Sequence, residues 1–404
     1  MQRKILHVDV NNAYLSWTAL YMLEQGENID IRKIPSIIGG NEARRAGIVL
    51  AKSDIAKKYG IITGETIYKA RLKCPNLKVY SGNFEIYNQY SDKLYRLLSE
   101  YTNQIERFSI DECFLDMTNF LLNNNIIDKA KEISNRIKNE LGFTVNIGIG
   151  NNKLLSKMAS DFLKPNKVHT LFENEIKTKM WILPVKELFM IGEKTLPKLY
   201  NIGIKTIGDL AKSDSKYIIS RFGKFGKNIW GYANGIDDSI VNCKTRTPKC
   251  ISNSITLPRD ISTIEELNKI LLSLTEQIAF RLRKANLIAN VVSVQLRTKD
   301  FKDFSHQKRL DIATCNTKEI YIKCKELLYE MYDNEFIRLV GMRVGNLVDK
   351  EEIQLSFFNS DKKLERLDIV LDNIKNKYGY HKITRAGEMI VEKMIGMKPS
   401  RHNF

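Results

Sequence analysis

The chain lacks the features that mark zinc-binding, disulfide-stabilised or membrane-spanning proteins. It has six cysteines, and no two of them have the CxxC spacing of a zinc site. Their scatter is more typical of a reducing cytoplasm than of a disulfide framework. No apolar run is long enough to span a membrane, and the acidic Asp9 comes too early for a signal peptide. These absences predict a cytoplasmic protein.

Negative charge is also in short supply. The sequence has 64 Lys and Arg residues against 47 Asp and Glu residues, a formal net charge of +17. Such an excess predicts a polyanionic partner such as nucleic acid, with a solvated lysine surface as the alternative. A length of 404 residues predicts several domains, because it is too long for one hydrophobic core.

Two strand-like stretches bring carboxylates into apolar surroundings. The run SIDECFLD at residues 109–116 contains Asp111 and Glu112, and the run KILHVDV at 4–10 contains Asp9. A buried carboxylate is costly unless it is paired, and a divalent cation is a usual partner. We therefore predict a metal site between these strands, with an acidic hairpin turn as the alternative. Adjacent residues of a straight strand face opposite ways, so Asp111 and Glu112 share a site only if the chain turns or bulges there.

The runs HVDVNNAY at 7–14 and SIDE at 109–112 resemble the Y-family translesion DNA polymerases, near the DNA polymerase IV and UmuC branches. The resemblance implies template-directed addition of deoxynucleotides to a primer, by two-metal phosphoryl transfer, with bypass of damaged template and no proofreading. It implies two Mg²⁺ ions per active site. The implied partners are primer-template DNA, deoxynucleoside triphosphates and the bacterial sliding clamp (its β subunit), and the chain is expected to be a monomer.

The implied fold is α+β and multidomain, in the form of a right hand. It consists of a ferredoxin-like palm, small fingers, a helical thumb with helix-hairpin-helix turns, and a ferredoxin-like little finger. The expected bounds are 1–25 and 76–166 for the palm, 26–75 for the fingers, 167–241 for the thumb, 242–248 for a linker, 249–348 for the little finger and 349–404 for a tail.

The resemblance also gives roles to single residues of the palm. Asp9, Asp111 and Glu112 would be the catalytic metal ligands, together with the main-chain carbonyl of Val10. Tyr14 falls at the steric gate, where an aromatic ring under the sugar leaves no room for a 2′-hydroxyl. A core aromatic on an amphipathic helix is the alternative for Tyr14.

The nucleotide-binding segment of the fingers departs from the family pattern. Ser53, Asp54 and Lys57 stand where the family carries Asn, Tyr and Arg. Lys57 can offer a point charge to phosphate without the fork of Arg, whereas Asp54 is unfavourable beside a triphosphate unless it points away or meets a cation. In the palm, Lys164 is the candidate for the incoming phosphates.

The run GIGNNK at 148–153 is not a P-loop, because its spacing is wrong and no Lys-Ser/Thr pair follows. This run is expected to begin a helix that extends through Met158. Lys153 and Lys157 on this helix belong either to a solvated surface or to the active site.

Two glycine turns, at 185–195 and 201–208, resemble helix-hairpin-helix motifs, whose backbone N–H groups position DNA without reading its sequence. Ordinary glycine-capped helical turns are the alternative. A basic loop is expected at 221–227. The DNA-binding candidates are Gly192, Lys194, Gly203, Lys205, Lys224, Lys227, Arg297 and Lys299.

The tail carries the peptide QLSFF at 354–358, which resembles the segment that docks in the sliding clamp. Gln354, Leu355, Phe357 and Phe358 are the partner-binding candidates, because exposed apolar clusters usually mark a partner site. Packing of this peptide against the protein itself is the alternative. An amphipathic helix is expected to follow at 364–378.

Two other classes of function remain open. A nucleotidyl cyclase also uses a ferredoxin-like palm with metal-binding carboxylates, but the basic second half and the clamp-like peptide argue against it. A non-catalytic DNA-binding relative would explain Asp54, but the presence of Asp9, Asp111 and Glu112 argues against that class.

Overall fold

The computed structural model describes residues 2–40, 47–120, 125–244, 247–350, 362–379 and 382–383. The chain divides into two compact units, one formed by Met1–Gly40 and Ile48–Thr245, the other mainly by Arg246–His402. Among the residues so described, no helix combines the length and the apolar character needed to cross a membrane.

The first unit contains the predicted palm. Its elements are β1 (Ile5–Val10), α1 (Ala13–Glu24), α4 (Phe84–Ser99), β5 (Ile105–Arg107), β6 (Glu112–Asp116), α5 (Ile126–Arg136), β7 (Val145–Gly150), α6 (Lys153–Ser160) and β8 (Val168–Leu171). The sheet order is β5-β6-β1-β7-β8, with β1 antiparallel to both of its neighbours. The helical segment over 126–141 is α-helical to Arg136 and ends in a π-helical turn.

The central strand β1 is buried on both faces, which suits a strand covered by helices on each side. Leu6, Val8 and Val10 form a hydrophobic core with residues of α1, α4 and α5. The opposite face carries His7 and Asp9 and lies under α6. Helices α4 and α5 thus cover one face of the sheet, as in the ferredoxin-like palm that the resemblance implies.

The fingers form a small sheet with short helices. Their elements are β2 (Ser36–Gly39), β3 (Val49–Lys52), α2 (Asp54–Lys58), α3 (Ile67–Lys73) and β4 (Lys78–Ser81), and the strand order is β3-β2-β4. The structure therefore extends the fingers beyond the expected end at residue 75, because β4 pairs with β2. It also extends the palm sheet past residue 166, because β8 pairs with β7.

The thumb is built from short helices, α7 (Leu196–Tyr200) and α8 (Ile207–Lys212), and the longer α9 (Ser215–Ala233). Residues 221–227 were expected to be a basic loop, and this prediction was wrong: they lie within α9. The helix is interrupted there by a single residue, Gly223, whose φ of 61° is accessible to glycine but strained for other residues.

The second unit has the predicted β-α-β-β-α-β order and an additional helix. Its elements are β9 (Cys250–Ile261), α10 (Ile264–Lys284), β10 (Leu287–Thr298), β11 (Asp303–Thr314), α11 (Thr317–Met331), β12 (Ile337–Asp349) and α12 (Lys362–Tyr378). The strand order is β11-β10-β12-β9, and all neighbours are antiparallel. In this sheet β12 therefore lies between β9 and β10. In the palm sheet the corresponding position, between β1 and β5, is taken by β6.

The helix expected at 364–378 is present as α12, and charged side chains join it to α10 and α11. Asp368 is buried and accepts hydrogen bonds from Thr317 N (3.0 Å) at the start of α11. Asp372 receives a two-pronged ion pair from Arg283 of α10 (2.6 and 2.9 Å). Leu367 and Val370 are exposed. Leu371 and Ile374 on the same helix are half-buried.

Candidate active site

The strand pairing between β1 and β6 brings the carboxylates together. Asp9 lies directly opposite Glu112 in this antiparallel pair. Directly opposite residues of neighbouring strands have Cβ atoms about 5 Å apart, so their side chains share one edge of the sheet. The sequence predicted this meeting of the two strands.

The chain turns at Asp111, as a shared site for Asp111 and Glu112 requires. The backbone N–H groups of Phe108 and Ser109 both donate to the Glu112 carbonyl, at 3.0 and 3.2 Å, which closes a tight turn. The Ser109 hydroxyl then donates to Asp111 Oδ1 (2.7 Å) and also lies 3.4 Å from Glu112 Oε2. One hydroxyl reaching both carboxylates shows that they face the same side.

Two lysines of the α6 region pair with these carboxylates. Lys164 Nζ lies 2.5 Å from Asp9 Oδ2, and Lys157 Nζ lies 2.5 Å from Glu112 Oε1. Between the lysines stands Asp161, 2.9 Å from Lys164 and 3.6 Å from Lys157. Lys157 therefore belongs to the site, which resolves the alternative that the sequence left open.

Lys153 has a different role from Lys157, although both are on α6. Its ammonium group pairs with Glu106 at 2.8 Å, and the same carboxylate accepts the backbone N–H of Asn242 at 2.7 Å. Lys153 thus ties α6 to β5 and to the segment that leaves the thumb.

Glycines of β7 allow α6 to lie close to the sheet. A Cβ atom on Gly148 would be 1.9 Å from the Ser156 carbonyl oxygen and 2.4 Å from Ser160 N. The absence of a side chain is therefore a packing requirement, and it sets the distance from α6 to the carboxylates. His7 completes this interface, with Nδ1 2.8 Å from Ser160 Oγ.

The electrostatics of the site follow from burial and from these lysines. Burial raises the pKa of Asp9 to about 6, although the positive charge of Lys164 opposes this shift. Burial lowers the pKa of Lys157, but the hydrogen bond to Glu112 and the nearby acids outweigh it, so the net shift is upward. Burial also lowers the pKa of Lys164, but the negative charge of Asp9 and its hydrogen bond outweigh this effect. The net shift of the Lys164 pKa is therefore upward.

The donor set fits a hard divalent cation, because it consists of carboxylate oxygens with a hydroxyl beside them. Asp9 and Glu112 each already pair with a positive charge, the ammonium group of Lys164 or of Lys157. Within the described ranges, no three acidic, histidine or cysteine side chains surround a single point as metal ligands would. Cation binding therefore requires Asp9 and Glu112 to exchange lysine contacts for metal contacts.

Tyr14 is half-buried in a cluster of aromatic rings beside the carboxylates. Its ring stacks on Tyr87, with centroids 4.6 Å apart and planes inclined by 21°, and meets the edge of Phe84 at 5.8 Å. Burial, together with the negative charge of Asp111, raises the pKa of the Tyr14 phenol. The ring is therefore held in place and is close to the carboxylates.

The residues that depart from the family pattern in the fingers lie in and beside α2. Ser53 is the N-cap of α2: its hydroxyl accepts from Ala56 N (3.0 Å) and donates to the Ile34 carbonyl (2.7 Å). Asp54 occupies the first turn of this helix, where a negative charge is favourable, and it is exposed. Lys57 is exposed in the last turn.

The expected DNA-binding residues lie on the surfaces of both units. Gly192, Lys194, Gly203, Lys205, Lys224 and Lys227 are all exposed on the thumb. Gly203, with φ of 82°, ends α7, so helix capping already accounts for this glycine. In the second unit, Arg297 forms a two-pronged ion pair with Asp303, both bonds at 2.8 Å, while Lys299 is exposed.

The comparisons with known proteins agree with this architecture. The impB/mucB/samB family matches residues 8–161, and its C-terminal domain matches residues 248–357. The DNA polymerase IV of Clostridium acetobutylicum is 48% identical over 96% of this chain and 98% of its own length. The chain belongs to the Y-family DNA polymerases, in the DNA polymerase IV branch.

Other relatives support the same placement of this Y-family polymerase. DNA polymerase IV 2 of Bacillus subtilis is 34% identical over 96% of this chain and 95% of its own length. A solved Y-family DNA polymerase chimera of Dbh and Dpo4 has a TM-score of 0.76 and 22% identity, and it covers 86% of this chain and 99% of the chimera. The predicted α+β polymerase fold is confirmed, and the chain is a DNA-directed DNA polymerase of the translesion type.

Some residues of the site were not predicted from the sequence. They include Asp161 and Ser109, and the packing role of Gly148 was also missed. A signal was present: Lys157, Asp161 and Lys164 follow one another at spacings of four and three, which places them on one face of a helical segment. The clamp-like residues Gln354, Leu355, Phe357 and Phe358 lie outside the described residues.

Proposed function

We propose that this Y-family polymerase adds deoxynucleotides at a centre formed by Asp9, Asp111 and Glu112, with Mg²⁺ as the cation. The observation that carries the proposal is the meeting of these carboxylates at one edge of the palm sheet, opposite the two lysines. The main-chain carbonyl of Val10, next to Asp9, is the further oxygen ligand.

When bound, two Mg²⁺ ions would lower the pKa of the primer 3′-hydroxyl and neutralise the triphosphate and the leaving pyrophosphate. The residues of the chain supply positioning and charge. Lys164 turns from Asp9 to the incoming phosphates, and Lys57 supplies a second point charge from the fingers. Most of the rate enhancement then comes from orientation and electrostatic stabilisation.

Tyr14 acts as the steric gate of this site. The stacked ring of Tyr87 keeps the Tyr14 ring from turning away, which supports a role in rejecting a 2′-hydroxyl. The alternative, a purely structural aromatic, is less consistent with the partial exposure of Tyr14 beside Asp111.

The basic surfaces bind primer-template DNA through phosphates. On the thumb, exposed backbone and lysines are available at the two glycine turns, and Lys224 and Lys227 extend this surface along α9. Lys299 contributes from the second unit. Arg297 contributes less, because Asp303 already holds its guanidinium.

The tail tethers the polymerase to a sliding clamp. This part of the proposal rests on the sequence of Gln354, Leu355, Phe357 and Phe358 and on their position after the last strand of the second unit. A few anchoring side chains can carry most of the affinity of such a peptide, and the tether raises the effective DNA concentration. We further propose that the protein acts in the cytoplasm as a monomer.

The metal centre is tested by Asp111→Ala in a primer-extension assay with Mg²⁺ and dNTPs. Extension should fall by roughly 10³-fold or more, because one of the groups that stabilise developing charge is lost. DNA affinity should stay near the parent value, because it depends on the basic surfaces. Asp128→Asn, an exposed palm substitution, is the control. Parent-like extension by Asp111→Ala would rule out this centre.

The clamp role is tested by replacing Leu355, Phe357 and Phe358 together with alanine. Clamp-free extension should be unchanged, and stimulation by a loaded clamp should be lost. Equal stimulation of parent and variant would refute the docking role. Loss of clamp-free activity would instead show that these side chains pack within the protein.

A further inference from the structure

The five charged groups beside the active centre form a chain of alternating sign. Glu112 pairs with Lys157, Lys157 also approaches Asp161, Asp161 pairs with Lys164, and Lys164 pairs with Asp9. The two outer carboxylates are the proposed cation ligands. Asp161 is the central member, and each of its carboxylate oxygens faces one lysine.

Asp161 is poorly placed to stabilise the helix it ends. It is the C-cap residue of α6, where a negative charge opposes the helix dipole. Its pairing with Lys157 has the lysine on the N-terminal side, which is the weaker order for an i,i+4 pair. Helix stability therefore does not explain an acid at this position.

Asp161 gives each lysine a second acidic partner. The side chains of Lys157 and Glu112 are only 13% and 17% exposed, so their interaction is less screened by water than that of a surface pair. A cation entering between Asp9 and Glu112 repels both ammonium groups. With Asp161 present, each lysine can leave its metal ligand without losing all of its ion pairing.

We propose that Asp161 is a positioning residue for polymerisation. It holds the ammonium groups of Lys157 and Lys164 beside the carboxylates before cation and nucleotide bind. It then keeps both lysines at the edge of the site, where they meet the triphosphate. This inference rests on the proposed function, because Asp9 and Glu112 must be the cation ligands.

The test compares Asp161→Asn, which removes the charge, with Asp161→Glu, which keeps it. The matched control is Asp128→Asn, since Asp128 is an exposed palm acid 4.0 Å from Lys131 on α5. The readout is equilibrium binding of the correct dNTP with Ca²⁺, which supports binding without turnover. The protein is bound to a primer-template whose primer ends in a dideoxynucleotide.

Asp161→Asn should weaken dNTP binding by about tenfold, the effect of losing one contact between charged groups. Asp161→Glu should recover most of the affinity, and Asp128→Asn should match the parent. KM for dNTP should rise with a smaller change in kcat. Metal-free thermal stability of Asp161→Asn should not fall, because the helix end loses an unfavourable charge.

Simple repulsion between Asp161 and the triphosphate would have the opposite effect on dNTP binding. If Asp161 only repelled the triphosphate, Asp161→Asn would bind dNTP more tightly, and this outcome would overturn the proposal. Unchanged binding would also overturn it. A loss of binding accompanied by a lower Tm, without recovery in Asp161→Glu, would assign Asp161 a structural role and would also contradict the proposal.

The proposed function can fail separately from this inference. If Asp9→Asn retains Ca²⁺-dependent dNTP binding, the carboxylates are not the cation ligands and the proposed centre is wrong. If Asp9→Asn loses that binding while Asp161→Asn behaves as the parent, only the role of Asp161 is refuted.

Discussion

At the scale of single residues, the active centre depends on side chains whose partners are far away in the sequence. Asp9 is held by Lys164, and its pKa is raised to about 6 by burial. Ser109 holds Asp111 within the same turn. Each of these residues is chemically ordinary, and their function follows from the neighbours that the fold supplies.

Tyr14 provides a prediction at this scale. Tyr14→Ala should raise incorporation of ribonucleotides relative to deoxynucleotides by roughly tenfold or more, because space opens for a 2′-hydroxyl. The measurement is the ratio of kcat/KM for rNTP and dNTP. Tyr21→Ala is the control on the same helix, since Tyr21 is exposed. An unchanged ratio for Tyr14→Ala would return this residue to a structural role.

At the scale of elements, the position of α6 decides which charges meet. The helix approaches β7 closely at Gly148, and its C-terminal end carries Lys157 and Asp161 toward the carboxylates. Asn152 caps its start, with Oδ1 2.8 Å from Leu155 N. A shift of the whole helix would therefore change several ion pairs together.

Gly148→Ala tests this dependence. A Cβ atom 1.9 Å from the Ser156 carbonyl forces α6 outward, so we expect a loss of roughly 3 kcal/mol in the free energy of unfolding. Extension activity should fall as well. Gly345→Ala is the control, because a Cβ at Gly345 meets nothing within 4 Å. Parent-like stability of Gly148→Ala, measured by urea denaturation, would contradict the close packing of α6.

Helix α12 gives a second prediction at this scale, about buried and exposed ion pairs. Arg283 and Arg297 each form a two-pronged pair with an aspartate, but the side chain of Arg283 is 12% exposed and that of Arg297 is 34% exposed. Arg283→Leu removes the two-pronged pair to the partly buried Asp372 and should cost about 3–5 kcal/mol, or release α12 if docking is weaker than that.

Hydrogen exchange of residues 362–379 measures this effect. Exchange should accelerate strongly in Arg283→Leu and remain at the parent rate in Arg297→Leu, since exposed pairs contribute about 1 kcal/mol or less. Equal protection in both variants would mean that the Arg283 pair does not hold α12 in place.

At the scale of the whole molecule, the net charge of +17 is the dominant property. Exposed lysines are found on the thumb and on the second unit, whereas Lys153 and Lys157 of α6 form ion pairs within the protein. The excess charge is thus available to a polyanion, as binding of a DNA backbone requires.

DNA affinity should therefore depend steeply on salt. We expect a loss of about 10³-fold between 50 and 200 mM salt if about six phosphates are contacted. The combined variant Lys224→Ala with Lys227→Ala should reduce the slope of log K against log salt by up to about 2 if both contact phosphate. A flat salt response of the parent protein would place the charge away from the DNA.

The sequence by itself determined the elements and the chemistry of this protein. Apolar patterning indicated the two strand-like stretches that carry the carboxylates, and the runs around Asp9, Asp111 and Glu112 identified the family, because these signals are local. It did not determine which residues hold α12, because Arg283, which pairs with Asp372, lies on another helix.

Only the tertiary structure decided how the active centre is completed. Lys153 and Lys157 look alike in the sequence, yet one pairs with Glu106 and the other with Glu112. The two lysines are one helical turn apart on α6, and the fold places Glu106 of β5 beside one and Glu112 of β6 beside the other. Distances between residues far apart in the chain arise from packing, and no local pattern contains them.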